Sequence, residues 1–296
     1  MKLDEAFSRY RQLVLVSASR RQLVLVSASR RELVSESGRW ELHIAPLLGK
    51  CQLAKIKNLQ VMELRSALER KGLSPQSVTH CLSLLRRVLR RAVEWEFYRG
   101  PVPVFRMPKF DNRRIRYLDE KESAHLLQEL QARSSLWHDV ARFALHTGLR
   151  ASEIYTLQPF HIDRAGKAVK VYDGKNSLSR VVPLNPQAWV TVEKYLFRFH
   201  YGLPLFQEKG ELPERHYGIF RRAVRACGFN AGISDRRERV CFHTLRHTFA
   251  SWLVQQGTPI ALVRELMGHR DIRMTMRYAH LAPSQGAVAV AALPSI

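Results

Sequence analysis

Residues 241–280 concentrate side chains that could do chemistry together. His243 and Arg246 lie three residues apart in a segment with helical periodicity, so both side chains leave the same face of a helix. His269 follows a glycine that ends an apolar helical run, and we expect it in the turn after that helix. Tyr278 comes nine residues later, directly after an arginine. Packing alone does not explain these spacings, which indicate a functional site.

A phenol accompanied by arginines and histidines indicates one chemistry above others. Tyrosine is a poor nucleophile at its ordinary pKa of about 10. Cationic hydrogen-bond donors around a phosphodiester make the phosphorus more electrophilic and stabilise the charged transition state. The residue types between 243 and 278 therefore predict phosphoryl transfer through a phosphotyrosine link.

A zinc hydrolase is the competing interpretation, because His243 and His247 form an H-x-x-x-H pattern on one face of a helix. The metalloprotease motif needs a glutamate directly after the first histidine, and Thr244 stands there instead. The sequence offers no obvious third ligand. The pattern therefore favours phosphoryl transfer over metal-dependent hydrolysis.

Four strings carry a resemblance to a known family. They are T-G-L-R-A-S-E-I at 147–154, H-T-L-R-H at 243–247, L-M-G-H at 266–269 and R-Y-A-H at 277–280. On these strings the chain resembles the tyrosine recombinases of the phage integrase family. The resemblance extends over roughly residues 40–283, and it is specific because the strings agree in both order and spacing.

The resemblance implies a role for each matching residue. Tyr278 would be the nucleophile that attacks the scissile phosphate. Arg150 and Arg246 would clamp that phosphate. His243 and His269 would be hydrogen-bonding or proton-handling partners. A site of this kind activates the phosphate with the protein's own side chains.

Three further residues complete the predicted site. Lys175 falls in the turn between two strand-like segments, AVKVY and SRVVPL, and resembles the family's hairpin lysine, which acts as general acid. Glu153 follows Arg150 by three residues and could hold it by a two-point ion pair, a support role that the resemblance also implies. We expect His247 to pack or to support its neighbours.

The implied reaction needs no metal, no ATP and no other cofactor. The tyrosine attacks, the 5′ hydroxyl leaves, and a 3′ phosphotyrosine conserves the bond energy until a partner strand's hydroxyl reverses the step. Two exchanges through a Holliday junction require a homotetramer on double-stranded attachment sites, with accessory DNA-bending or directionality factors as further candidate partners. The alternative is a catalytically inactive DNA-binding regulator with the same fold, against which the intact Tyr278 argues.

Composition agrees with a nucleic-acid partner. The chain has 296 residues, 48 Lys and Arg against 26 Asp and Glu, and a formal charge of +22. Basic residues spread along most of a chain bind polyanions by releasing counterions, whereas a membrane-surface protein would concentrate them on one amphipathic helix. The N-terminus lacks the pattern of a signal peptide, and four scattered cysteines show no metal or disulfide spacing. We therefore expect a protein of the bacterial cytoplasm.

Pattern and resemblance together predict the domain organisation. We expect an N-terminal helical segment at 1–37, a helical, SAM-like core-binding domain at 38–106, a basic linker at 107–117, a catalytic domain at 118–283 and a tail at 284–296. The fold class is mainly α, with a small antiparallel β-hairpin or sheet in the catalytic domain. The resemblance implies a two-domain, C-shaped clamp around DNA.

The first forty residues contain a duplication. RQLVLVSASR at 11–20 recurs identically at 21–30. Units of ten residues are too short for a solenoid, so we expect a local duplication within one element, in which one copy packs and the other projects.

Two groups of arginines are candidate DNA contacts. The first group lies on a helix that Ser74 and Pro75 start, and the second lies in the linker. So many arginines in so basic a chain favour phosphate contacts over a merely solvated face. The first group is Arg86, Arg87, Arg90 and Arg91, and the second is Arg113, Arg114 and Arg116.

Overall fold

A computed structural model of the chain describes residues 1–16, 34–111, 116–172, 179–197, 203–207, 213 and 217–283. The chain divides into two compact units, Met1–Asn112 and Arg113–Ile296. Within the described ranges, no helix combines the length and the apolar character needed to cross a bilayer.

The regular elements described in the first unit are helices and helical turns. Ser74 starts its longest helix, because its side chain accepts a hydrogen bond from the Ser77 backbone and Pro75 occupies the first helical position. The predicted start of this helix is thus confirmed. The helices are α1 (Leu3–Tyr10), α2 (Asn58–Arg70) and α3 (Pro75–Glu94), with wider, π-type turns at Arg11–Val16 and Trp40–Gly49.

Described residues of the N-terminal segment predicted at 1–37 contribute to the core of the first unit. Phe7 is buried and stacks on Trp40 with ring centroids 4.0 Å apart, and the Trp40 indole donates a 2.9 Å hydrogen bond to Asp4. Leu3 is fully buried in the same cluster as the apolar faces of α2 and α3. Of the duplication, residues 11–16 continue from α1, and residues 17–33 lie outside the described residues.

The second unit combines helices that pack on one another with a small sheet. Asp119 and Glu122 form a capping box, each side chain accepting a hydrogen bond from the other's backbone N–H at 2.8 and 3.0 Å. The helices are α4 (Glu120–Gln131), α5 (Ser135–Thr147), α6 (Ala151–Tyr155), α7 (Pro186–Leu196), α8 (Tyr217–Ala226), α9 (Phe242–Gln255) and α10 (Ile260–Met267). Two 3₁₀ turns follow, Ile272–Met274 and Met276–Leu281.

The sheet has three antiparallel strands in the order β1 (Ile162–Asp163), β2 (Ala168–Val171) and β3 (Arg180–Pro183). Strands β2 and β3 pair in a register that puts Val171 opposite Arg180 and Val169 opposite Val182. The predicted pair of strands is therefore confirmed. Their connecting turn at 173–178, including Lys175, lies outside the described residues.

Candidate active site

Helix α9 carries a buried cation of the site, Arg246, that hydrogen bonds hold in place. Arg246 is 2% exposed, and its guanidinium donates to the carbonyl oxygens of Gly148, at 2.7 Å, and of Met267. These carbonyls lie at the C-terminal ends of α5 and α10, where helices leave backbone acceptors unpaired and carry partial negative charge. Arg246 therefore satisfies the two helix ends and is fixed by them.

Two glycines make this arrangement possible. Gly148 and Gly268 end α5 and α10 in the left-handed conformation, each with φ of 62°. A Cβ on Gly148 would come 2.3 Å from the Phe249 ring, and one on Gly268 would come 2.8 Å from Arg180. Each position thus needs glycine both for its backbone angle and for the close approach of a neighbouring side chain.

Glu153 holds two arginines at once. One carboxylate oxygen accepts from Arg150 Nη1 at 2.9 Å, while the other accepts from the Arg150 backbone N–H at 2.8 Å. Arg180 makes the two-point pair, at 3.1 and 2.8 Å, and its Nε donates to Leu266 O at 2.8 Å. The predicted Glu153–Arg150 contact is present, but Arg180 from β3 takes the two-point geometry assigned to Arg150.

The charges of this cluster shift the pKa values of its members. Burial alone would raise the pKa of Glu153, but hydrogen bonds and charge from Arg180, the Arg150 backbone and the charge of Arg246 lower it to about 2. Burial and the charges of Arg150 and Arg180 lower the pKa of Arg246 to about 9, against the opposing effects of Glu153 and Tyr278. Both groups stay charged at neutral pH.

His269 lies in the turn after α10, as its spacing predicts. Its Nδ1 is 2.9 Å from the hydroxyl of the buried Thr275. Burial and the charges of Arg246, Arg150, Arg277 and Arg180, in that order, lower the pKa of His269 to about 3. The imidazole is therefore neutral at pH 7 and can exchange hydrogen bonds without adding a further positive charge.

Tyr278 lies in the second 3₁₀ turn and is 5% exposed. Its hydroxyl is 2.5 Å from Nδ1 of His247, which is itself 4% exposed. Burial raises the pKa of Tyr278 to about 12, although the charges of Arg277 and Arg246 lower it. His243, one turn earlier on α9, is exposed, and its ring meets the His247 ring edge to face at 4.7 Å.

The site residues predicted within the described ranges share one region of the second unit. Arg150, Glu153, Arg246 and His269 form a connected cluster, through the hydrogen bonds and the charge effects given above. His247, expected to play a supporting part, is the histidine that contacts the tyrosine hydroxyl.

Three of the candidate DNA-contacting arginines form ion pairs with glutamates. Arg87 pairs with the buried Glu36, and Arg91 pairs with Glu94 at 2.6 Å. Arg116 pairs with Glu122 and donates to the Tyr117 carbonyl at 2.5 Å. Arg113 and Arg114 lie outside the described residues.

Sequence reasoning missed Arg180. The available signal was the alternation of β3, which puts Arg180 on the same buried face as Val182. Valines stand at both 181 and 182, so the alternation alone does not say which face is buried.

The histidine pair of α9 does not extend into a metal site within the ranges that the structure describes. No group of three His, Cys, Asp or Glu side chains there has the arrangement that a metal ion would need. The neighbours of His243 and His247 given above are an aromatic ring and a phenol.

Comparison with known proteins agrees with the geometry. The model of the phage integrase family matches residues 116–285. An integrase of Salmonella phage P22 is 36% identical over 217 residues, covering 70% of this chain and 54% of the relative. An integrase of Escherichia phage 186 is 30% identical, covering 72% of this chain and 59% of the relative. The chain thus spans less than two thirds of the length of these phage relatives.

Solved structures show the same fold. The Tn1549 transposon integrase, in complex with circular intermediate DNA, superposes with a TM-score of 0.70 at 18% identity, covering 99% of this chain and 100% of that one. A lambda integrase dimer bound to a core site gives 0.70 at 17% identity, covering 100% and 80%. Because the family model matches more than half of the chain, the chain belongs to the phage integrase family.

Proposed function

We propose that this protein is a site-specific DNA recombinase that cleaves and rejoins strands through a 3′-phosphotyrosyl intermediate, integrating or excising a phage or other mobile element. The observation that carries the proposal is a tyrosine hydroxyl beside a cluster in which arginines outnumber carboxylates. Arg246 is held by two helix ends and Arg150 by Glu153. Such preorganised cations stabilise a phosphorane-like transition state without reorganising during the reaction.

Each residue has a role in the proposed step. Tyr278 attacks the phosphorus, and Arg150 and Arg246 hold the non-bridging oxygens. His269 donates a hydrogen bond as a neutral imidazole, and His243, exposed at the start of α9, hydrogen-bonds or handles a proton. Lys175 protonates the leaving 5′ oxygen, whose alkoxide is too basic to depart unaided.

The partners follow from the reaction and from the relatives. The substrate is double-stranded DNA carrying attachment sites, and two duplexes are exchanged by four copies of the chain. A lambda integrase tetramer bound to a Holliday junction has the same fold, and phage integrases are among the relatives, which supports this assembly and action in the bacterial cytoplasm. Accessory DNA-bending or directionality factors would act with this tetramer.

Replacing Tyr278 by phenylalanine tests the proposal, because it removes one oxygen and no charge. Nicked duplexes tiled across the DNA that flanks the gene serve as substrate, and covalent adducts are resolved on denaturing gels. We expect wild-type protein to trap DNA and Tyr278→Phe to bind without trapping it.

Tyr117→Phe is the matched control, since it also removes a hydroxyl, one that accepts a hydrogen bond from Gln255 away from the cluster. It should trap DNA like wild type. Trapping by Tyr278→Phe would identify another nucleophile, and binding without trapping by every form would favour the inactive regulator.

A further inference from the structure

The closest polar contact of the tyrosine hydroxyl is with a histidine outside the set that the resemblance assigns to catalysis. His247 Nδ1 lies 2.5 Å from Tyr278 Oη, and both side chains are at least nine-tenths buried. The phenol can donate its one hydrogen to Nδ1 or accept one from Nδ1–H, and the tautomer of the imidazole decides between the two. An imidazole that accepts at Nδ1 carries its own hydrogen on Nε2.

A buried phenol needs such an acceptor. With a pKa of about 12, only about one Tyr278 side chain in 10⁵ is ionised at pH 7. A general base must lie within roughly 2.6–3.2 Å of the proton it removes, directly or through one water. His247 Nδ1, 2.5 Å from Tyr278 Oη, is within direct reach of that proton.

The other polar groups of the cluster suit this task less well. Nδ1 of His269 is committed to the Thr275 hydroxyl, and the surrounding guanidinium charges oppose a proton on that ring. Arg150 and Arg246 are cations that have no lone pair to accept a proton. His243 is exposed, and its ring packs on the ring of His247.

We propose that His247 is the general base that removes the phenolic proton of Tyr278, a role that rests on the recombinase reaction proposed above. As the Oη–H bond breaks, the proton moves to Nδ1 and the electron pair of that bond forms the new Oη–P bond. The P–O5′ bond breaks, and its electron pair leaves on the 5′ oxygen, which the general acid protonates. In the reverse step the imidazolium at 247 returns its proton to Oη as the phosphotyrosyl bond breaks.

The position of His247 in the chain couples proton removal to phosphate binding. It follows Arg246 directly on α9, and Arg246 is fixed by the carbonyls of Gly148 and Met267. The acceptor of the proton and the cation that holds the phosphate therefore belong to one rigid turn of helix. A phosphate seated on Arg246 meets a phenol whose proton already points to a base.

The test combines a substitution at His247 with a change in the acidity of the nucleophile. His247→Asn keeps an acceptor oxygen near the position of Nδ1 but is not basic, so Tyr278 stays held while proton transfer is lost. We expect single-turnover cleavage of the nicked duplexes to fall by about 10²–10⁴-fold. Replacing Tyr278 by 3,5-difluorotyrosine, whose phenol is more acidic, should reduce that deficit at least tenfold.

His243→Asn is the comparison, since it makes the same change one turn away. Its cleavage also falls, but fluorination of Tyr278 should change its rate by the same factor as in wild type. Each rate ratio compares fluorinated with unmodified Tyr278 in the same variant. A difference between variants in the fraction of folded protein therefore cancels.

Cleavage by His247→Asn within about threefold of wild type, or a deficit that fluorination leaves unchanged, would overturn the role of His247. Failure of wild-type protein to form any adduct would instead overturn the recombinase proposal itself.

Discussion

Glu153 is the carboxylate on which the cationic cluster depends. It is largely buried, and it balances Arg180, whose side chain is 2% exposed, as well as Arg150, whose side chain is 26% exposed. A buried arginine without a counter-ion would be costly, whereas the partly exposed Arg150 keeps access to a ligand. One carboxylate thus serves a buried arginine and the partly exposed arginine that is proposed to hold the phosphate.

This arrangement predicts a pH dependence of stability. The pKa of Glu153 is lowered from 4.5 to about 2 on folding, so its contribution is fully present above pH 4.5 and is lost as the pH falls towards 2. Urea unfolding of the full chain should show that the stability difference between wild type and Glu153→Gln shrinks by about 1.4 kcal/mol between pH 7 and pH 3.5.

The matched control is Glu129→Gln, which removes a carboxylate from a surface pair with Arg133. Surface pairs contribute about 1 kcal/mol or less, so this difference should stay small at both pH values. A wild-type to Glu153→Gln difference that is flat with pH would mean that the carboxylate is not stabilised by its arginines.

At the scale of elements, the sequence predicts where several helices start or end, but it does not predict which side of α9 is buried. The Ser74–Pro75 start, the Asp119–Glu122 box and the Gly268 end depend on a few neighbouring residues, and all three are present. In α9, residues 244–248 are buried in succession, more than a full turn, so this part of the helix has no exposed face from which periodicity could orient His247. His247 and Tyr278 are 31 positions apart in the sequence, so only the tertiary fold brings them into contact.

Helix α3 shows why a basic helix cannot be interpreted from composition alone. Arg87 pairs with Glu36, which is 2% exposed and lies 3.4 Å from the Tyr10 hydroxyl. Arg90 is exposed. The ion pairs described for this helix instead join Arg87 to Glu36 and Arg91 to Glu94. The same residue type therefore stabilises the unit at one position and is available to DNA at the next turn.

Single substitutions should separate these roles. Arg87→Ala leaves a buried carboxylate without its cation and should lower the free energy of unfolding by about 1–3 kcal/mol. Arg90→Ala should change it by less than about 0.5 kcal/mol. If Arg90 contacts a phosphate, its loss should reduce the slope of log affinity against log salt by about 0.9.

Urea unfolding and DNA binding titrated at several salt concentrations measure the two effects. Arg86→Ala, at a half-buried position one turn before Arg90, gives a second comparison on the same helix. An unchanged salt slope in both Arg86→Ala and Arg90→Ala would mean that this face of α3 is merely solvated.

At the scale of the whole molecule, the positive charge and the site serve different steps. A formal charge of +22 favours association with any duplex, because it releases counterions regardless of sequence. In the proposed reaction, cleavage instead depends on the few groups around Tyr278, which come from the second unit. A chain of this kind is expected to bind DNA broadly and to react only where a phosphate is seated on the arginine cluster.

The proposed nucleophile and the proposed phosphate clamp belong to the same chain, which predicts cleavage within one protomer. Tyr278 is hydrogen-bonded to His247, next to Arg246 on α9 of its own chain. A mixture of Arg150→Ala and Tyr278→Phe protomers should therefore cleave no more than either variant alone, because neither protomer has both the clamp and the nucleophile. Mixtures of wild type with Tyr278→Phe, assayed on the same nicked duplexes, should cleave in proportion to the wild-type share. Cleavage by the two inactive variants together would show instead that one protomer supplies its tyrosine to the arginines of another.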